Sequence, residues 1–218
     1  MLVDARDDRT SAYRVDLELT PEQSDRFKKQ IEFILEIDKL KRIRRKTVLL
    51  DRSQQENSAE HSWHIAITVF ILSEYANGEN IDVCRVIKML LVHDLVEIDA
   101  GDTYCYDEHG RENQPQREEN AAERIFGILP ADQAADLRAL WDEFERRETS
   151  ESKLANALDR FQPFLHNYFT EGQTWQENDI KSSQVNARMQ PVSDGAPVLW
   201  NYVKTLIEDA VEKGYLLK

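Results

Sequence analysis

Cysteine is nearly missing from this chain: two in 218 residues, Cys84 and Cys105, with no CxxC spacing. That excludes a disulfide framework and a thiolate metal cluster, and fits a reducing compartment. Long apolar runs are missing too; none approaches the roughly 18 residues needed to span a bilayer. The opening "MLVDARDDRT" is charged and has no apolar signal-peptide segment. Positive charge is in short supply, with 28 Lys and Arg against 41 Asp and Glu, a net −13. A surface of that sign repels a phosphate backbone, which argues against a nucleic-acid polymer as partner. A small phosphorylated substrate stays open, because a local pocket can oppose the global sign. There is no P-loop, no nucleophile elbow, no internal repeat and no low-complexity segment. Together these absences predict a soluble cytoplasmic protein.

Strand signals are nearly absent, and what remains is helical punctuation. Thr20-Pro21-Glu22-Gln23 combines an N-cap, a first-turn proline and a capping-box Gln, opening a helix that runs toward Arg45. Asn57 with Glu60 starts a second helix, ending near Gly78. Asp82 caps a third, whose Val83, Val86, Ile87, Leu90 and Leu91 fall at helical spacing. It reads as a buried central helix that stops at Gly101. "YCYDEHGRENQP" is then a polar loop before a helix from Gln116 to Gly127. Pro130, Ser150, the stretch "DIKSSQVNARMQ" and the run after Gly195 open or form further helices. Roughly eight helices with short connections predict an all-α bundle.

One stretch is costly for a core. "LLVHDLVEIDAGD" sets His93, Asp94, Glu97, Asp99 and Asp102 beside Leu-Leu-Val, and burying such charges needs partners. On a helix, Glu97 shares a face with His93 and Asp94. A cation held there by an imidazole and a carboxylate of one turn would neutralise what the apolar surroundings cannot solvate. Further ligands stand on other helices: His61 in "AEHSWHIA" and Asp159 in "LANALDRFQPF". His61, His93, Asp94 and Asp159 offer mixed nitrogen and oxygen ligation, suited to one divalent Mn, Co, Fe, Zn or Mg ion. Four protein ligands in an octahedral shell leave two positions for water and substrate, as hydrolysis requires.

His61, the His93-Asp94 pair and Asp159 resemble the H…HD…D signature of the HD superfamily of metal-dependent phosphohydrolases. "ENSAEHSWHIA", "LVHDLVEIDAGD", "QREENAAERIFGILP" and "LWDEF…SKLANALDRFQPFLHNY" are similar to its branch of 5′-deoxynucleotidases, over residues 25–170 in order and spacing. The resemblance implies an HD-domain helical bundle, a metal at those four residues, and a phosphomonoesterase acting on nucleoside 5′-monophosphates. It implies Glu97 as the carboxylate assisting the attacking water and Asp102 as a second acidic residue near the leaving oxygen. It implies Arg45 at the substrate phosphate, where a guanidinium fork suits phosphoryl oxygens. The branch follows that arginine with an aromatic on the sugar side. Here "RRKTVLL" has Lys46, Thr47 and Val48, so no deoxyribose preference follows. Relatives are often dimers, which makes a homodimer one expectation.

The domain reading is one HD domain over residues 20–218, with residues 172–218 a C-terminal helical extension packed on it and residues 1–19 a tail. Other readings compete. Another small phosphoester would suit the same site. Two-metal HD phosphodiesterases and di-iron HD oxygenases need more histidines between the His-Asp pair and the last Asp, and only His109 lies there. A metal-stapled nucleotide sensor would have no use for Glu97 and Asp102. His64 reads as packing or surface, His109 as solvated, and His166 lies on the ligand's side of its helix. Trp63 and Trp141 read as core or groove aromatics, and "EFERRETSESK" as a solvated turn.

Overall fold

The computed structural model describes residues 19–218, so the expected tail lies almost wholly outside it. Helix α1 spans Pro21–Ile37 and begins with the expected capping box between Thr20 and Gln23. It does not run on to Arg45. A 3-10 turn, Asp38–Arg42, tightens the chain, which then extends as β1, Arg44–Val48, antiparallel to β2, Gln55–Asn57. This small sheet is the exception to the all-helical expectation. Its inward positions explain why it was not legible: Arg45 and Thr47 face inward while Arg44 and Lys46 face solvent. Alternation is there, but not alternation of hydrophobicity.

Helix α2, Ser58–Leu72, starts at the capping box of Asn57 and Glu60. Helix α3, Val83–Val92, is capped by Asp82. The single long helix expected up to Gly101 is broken: His93–Val96 forms a 3-10 turn, and α4, Glu97–Ala100, is one further turn. Gly101 ends it at φ +75°, as a stop glycine should. Within the polar loop lies α5, Glu108–Arg111. Then come α6, Gln114–Phe126, and α7, Ala131–Arg146. Helix α8, Ser150–Phe169, is capped by Thr149 and carries Pro163 within it. Helices α9 (Gln173–Glu177), α10 (Ser182–Met189), α11 (Val192–Gly195) and α12 (Pro197–Glu212) complete the chain.

Helix α8 is the hub. It touches α2, α3, α7, α10, α11 and α12. Its Leu154, Ala155, Ala157 and Leu158 are sealed against solvent, as are Ile65 and Val69 of α2 and Val86, Met89 and Leu90 of α3. Helix α11 approaches so closely that a Cβ on Gly195 would lie 2.1 Å from the Lys153 carbonyl oxygen. This packing sets Asp159 of α8 against the first turn of α2 and the break after α3. No helix among the described residues is long and apolar enough to cross a membrane.

Candidate metal centre

The break after Val92 is where the His-Asp pair sits. The 3-10 turn rotates successive side chains differently from an α-turn, and both His93 and Asp94 reach one point. His93 Nε2 lies 3.0 Å from Asp94 Oδ1 and 3.5 Å from Asp159 Oδ1. His61 Nε2 reaches the same Asp159 oxygen at 3.1 Å. Ligand atoms of His61, His93 and Asp94 all lie within 4.8 Å of one another. Neighbouring corners of an octahedron with bonds of about 2.1 Å are about 3 Å apart, so these spacings match a shell around a small divalent ion.

The donor chemistry fits as well. His93 Nδ1 donates to the Leu90 carbonyl at 2.8 Å. In this tautomer Nε2 is the atom turned to the cluster, where it is buried without a hydrogen bond. His61 Nδ1 donates to Gln162 Oε1 at 2.9 Å, which aims its own Nε2 at the same place. Burial opposes a charge on His93, yet Asp94 and Asp159 outweigh it and hold its pKa well above the ordinary value. Burial likewise opposes the Asp159 carboxylate, but the His61 and His93 imidazoles beside it keep its pKa well below the usual range. The surroundings of the cluster therefore favour positive charge at this point.

Glu97 and Asp102 complete the acidic edge. Glu97 Oε2 accepts a hydrogen bond from Ser58 Oγ at 2.6 Å. Burial, with Asp94 and Asp102 close by, holds the Glu97 carboxyl well above its usual pKa. Burial also raises Asp102, against the pull of Arg45. Arg45, projected inward by β1, places Nη1 2.9 Å from Asp94 Oδ2 and 3.9 Å from both Glu97 Oε1 and Asp102 Oδ1. Six of the seven residues singled out from sequence thus line a cavity of about 180 Å³, and the seventh, His61, reaches it through Asp159.

Several participants were not singled out. Gln162, three residues after Asp159 and so on its face, links His61 to a buried group behind the site. Its Nε2 donates to Glu56 Oε1 at 2.7 Å and meets His166 Nε2 at 3.0 Å and His64 Nδ1 at 3.2 Å. His166 Nδ1 donates to the Val48 carbonyl at 3.1 Å. Ligand atoms of Glu56, His64 and His166 also lie within 4.8 Å of one another, but the Gln162 amide already occupies their centre. His166 thus supports the site through Gln162. The i, i+3 spacing was the available signal for Gln162; Glu56 had none.

Elsewhere the expectations divide. His109 is exposed beside Glu112. Trp141 is buried, whereas Trp63 stands 64% exposed on α2 and belongs to neither core nor groove. The "EFERRETSESK" run is more than a solvated turn: Phe144 is buried, and Arg147, a left-handed cap of α7, borders the cavity.

The profile of the family described as HD domain (HD_3) matches residues 37–200. The chain is 28% identical over 136 residues to bovine "5'-deoxynucleotidase HDDC2", a match covering 62% of this chain and 64% of that one. It is 34% identical over 131 residues to the Dictyostelium discoideum protein of the same name, covering 58% of this chain and 69% of that one. The chain thus spans somewhat less than two thirds of the bovine relative's length. Among solved structures it is similar to a protein of Magnetospirillum magnetotacticum MS-1 described as a "Predicted metal-dependent phosphohydrolase". That match has a TM-score of 0.87 and 48% identity, and covers 92% of this chain and all of that one. A conserved hypothetical protein of Pyrococcus furiosus shares the fold at TM-score 0.57 and 22% identity, covering 84% of this chain and 99% of that one.

Proposed function

Because this chain belongs to the HD domain family, we propose that it is a divalent-metal-dependent phosphomonoesterase of the 5′-nucleotidase type. One observation carries the reading. Two imidazole nitrogens and two aspartate carboxylates converge at 3.0–3.5 Å beside the buried Glu97 and the partly exposed Asp102, at the wall of a cavity. His61, His93, Asp94 and Asp159 would hold the ion. When bound, it supplies Lewis acidity toward a phosphoryl oxygen and lowers the pKa of water.

The chain's own groups do the rest. Ser58 pins one oxygen of Glu97 and leaves the other facing the cavity edge, where it accepts the proton of an attacking water. Asp102 delivers a proton to the departing alkoxide. Arg45 offsets the carboxylates, so that a phosphate dianion meets less repulsion on approach. Preorganised charge of this kind accounts for most of the acceleration in phosphoryl transfer. The names of the bovine and Dictyostelium relatives support nucleoside 5′-monophosphates as substrates. Lys46, Thr47 and Val48 leave the sugar side without the branch's aromatic, which supports tolerance of ribose as well as deoxyribose.

The test is phosphate release from a panel of ribo- and deoxynucleoside monophosphates and sugar phosphates, with Mn, Co or Mg added. Turnover on monophosphates is expected, and Glu97→Ala should abolish it while metal content by elemental analysis stays unchanged. A metal-loaded protein that releases no phosphate from any member of the panel overturns the reading.

A further inference from the structure

Arg160 follows Asp159 on α8, so a rotation of about 100° carries its side chain away from the metal cluster. It is only 5% exposed, and it lines the same cavity. Its two hydrogen bonds, at 3.0 and 2.9 Å, both go from Nη1 to Asn156, one turn back on its own helix. They tie no two elements together, and a neutral side chain could do as much. Its Nε is buried without any partner, and among the described residues no carboxylate lies within 4.0 Å of it.

Two more guanidiniums border this side of the cavity. Arg188 of α10 places Nη2 4.0 Å from Asp159 Oδ2, and Arg147 stands exposed at the rim. Glu118 and Glu145 also line the cavity, but neither comes within 4.0 Å of these arginines among the described residues. Gathering like charges around a buried one is unfavourable unless an anion comes between them. Arg45, meanwhile, is taken up by Asp94 and faces Glu97 and Asp102.

We propose that Arg160 and Arg188, with Arg147 at the rim, bind the phosphoryl oxygens of the substrate, the role the sequence resemblance gives to Arg45. Arg188 lies beyond residues 25–170, so the C-terminal segment supplies part of the phosphate grip. The guanidinium fork offers paired donors to a tetrahedral dianion held in the cavity beside the metal cluster. The proposal rests on the phosphohydrolase reading for its substrate, but not for its test.

The probe is inorganic phosphate, titrated into the full chain by calorimetry with and without Mn. Wild-type protein should bind it, and Arg188→Ala should weaken binding at least tenfold with metal content unchanged. Arg188→Lys should recover part of the loss, because charge is kept and the fork is not. Arg160→Met should weaken binding similarly; should it fail to fold, Arg188, on the cavity side of α10 and partly exposed, still decides. Equal phosphate affinity in wild type and Arg188→Ala, or no phosphate binding by the wild type, overturns the proposal. Nucleotide turnover accompanied by either result leaves hydrolysis standing and removes only the arginine wall. Phosphate binding lost in Arg188→Ala, without turnover by the metal-loaded wild type, keeps the wall and removes hydrolysis.

Discussion

Arg45 Nη1 stands 2.9 Å from Asp94 Oδ2, an ion pair between an inward residue of β1 and a residue of the His-Asp turn. Both side chains are mostly buried, and Glu56 Oε2 lies 4.0 Å from Arg45 Nε. Removing the guanidinium leaves four carboxylates facing one another. Arg45→Ala is therefore expected to lower stability by about 3–5 kcal/mol, the usual cost of breaking a buried pair from one side. Arg45→Lys should cost less. Urea denaturation of the metal-free proteins measures both, and an unchanged midpoint for Arg45→Ala would contradict the account.

Gln162 holds the tautomer of His61. Gln162→Leu keeps the volume roughly and removes the acceptor for His61 Nδ1. Loss of such a support typically weakens a metal site about 10–100-fold. Competition for Mn against a chelator should show that loss, with the helical circular dichroism unchanged. The same affinity as wild type would mean that His61 needs no such anchor.

His166 should stay neutral in mildly acidic solution. Burial lowers its pKa to about 4, against the donation of its Nδ1 to Val48. In the unfolded chain a histidine titrates near 6.5, so between about 6.5 and 4 the unfolded state binds the extra proton. Stability from this group is complete above that window and is lost as pH falls through it. Ring-nitrogen NMR should find His166 uncharged at pH 5.5, and His166→Gln should flatten the stability decline in that window. A ring that titrates near 6.5 in the folded protein would overturn this.

Gly195 is a fit between helices. Its backbone presses on α8 at Lys153 and Leu154, and a methyl group would collide with backbone atoms rather than with a side chain that can swing away. Gly195→Ala should cost about 1–3 kcal/mol, as overpacking usually does. Because α8 carries Asp159, the midpoint of metal-dependent activity should shift to higher metal concentration in the same variant. Neither effect would appear if α11 could slide outward freely.

Helix starts were legible because they are local chemistry. Thr20, Asn57 and Asp82 each accept from a backbone N–H three residues on, and such a bond needs nothing beyond its own segment. The strand of Arg45 was not legible, since its inward side chains are an arginine and a threonine that only become inward once Asp94 and the α8 side of the core are in place. The break at His93 was hidden for the opposite reason. Leu95 and Val96 are buried, so the apolar pattern runs straight through the point where the helix changes type.

By itself, then, the sequence determined the starts of the longer helices, the gathering of His61, His93, Asp94 and Asp159 as a set, and the closeness of Glu97 to the His-Asp pair. Those depend on spacing within one segment or on a pattern of residue types in order. Tertiary structure alone decided that Arg45 meets carboxylates, that Gln162 and His166 stand behind His61, and that Arg160 is left buried beside Arg188. The partners of Gln162, His166 and Arg160 are brought together by α8 packing on distant parts of the chain, and those of Arg45 by β1 meeting the His-Asp turn. Whether a charge is matched or stranded depends on what the folded interior sets beside it.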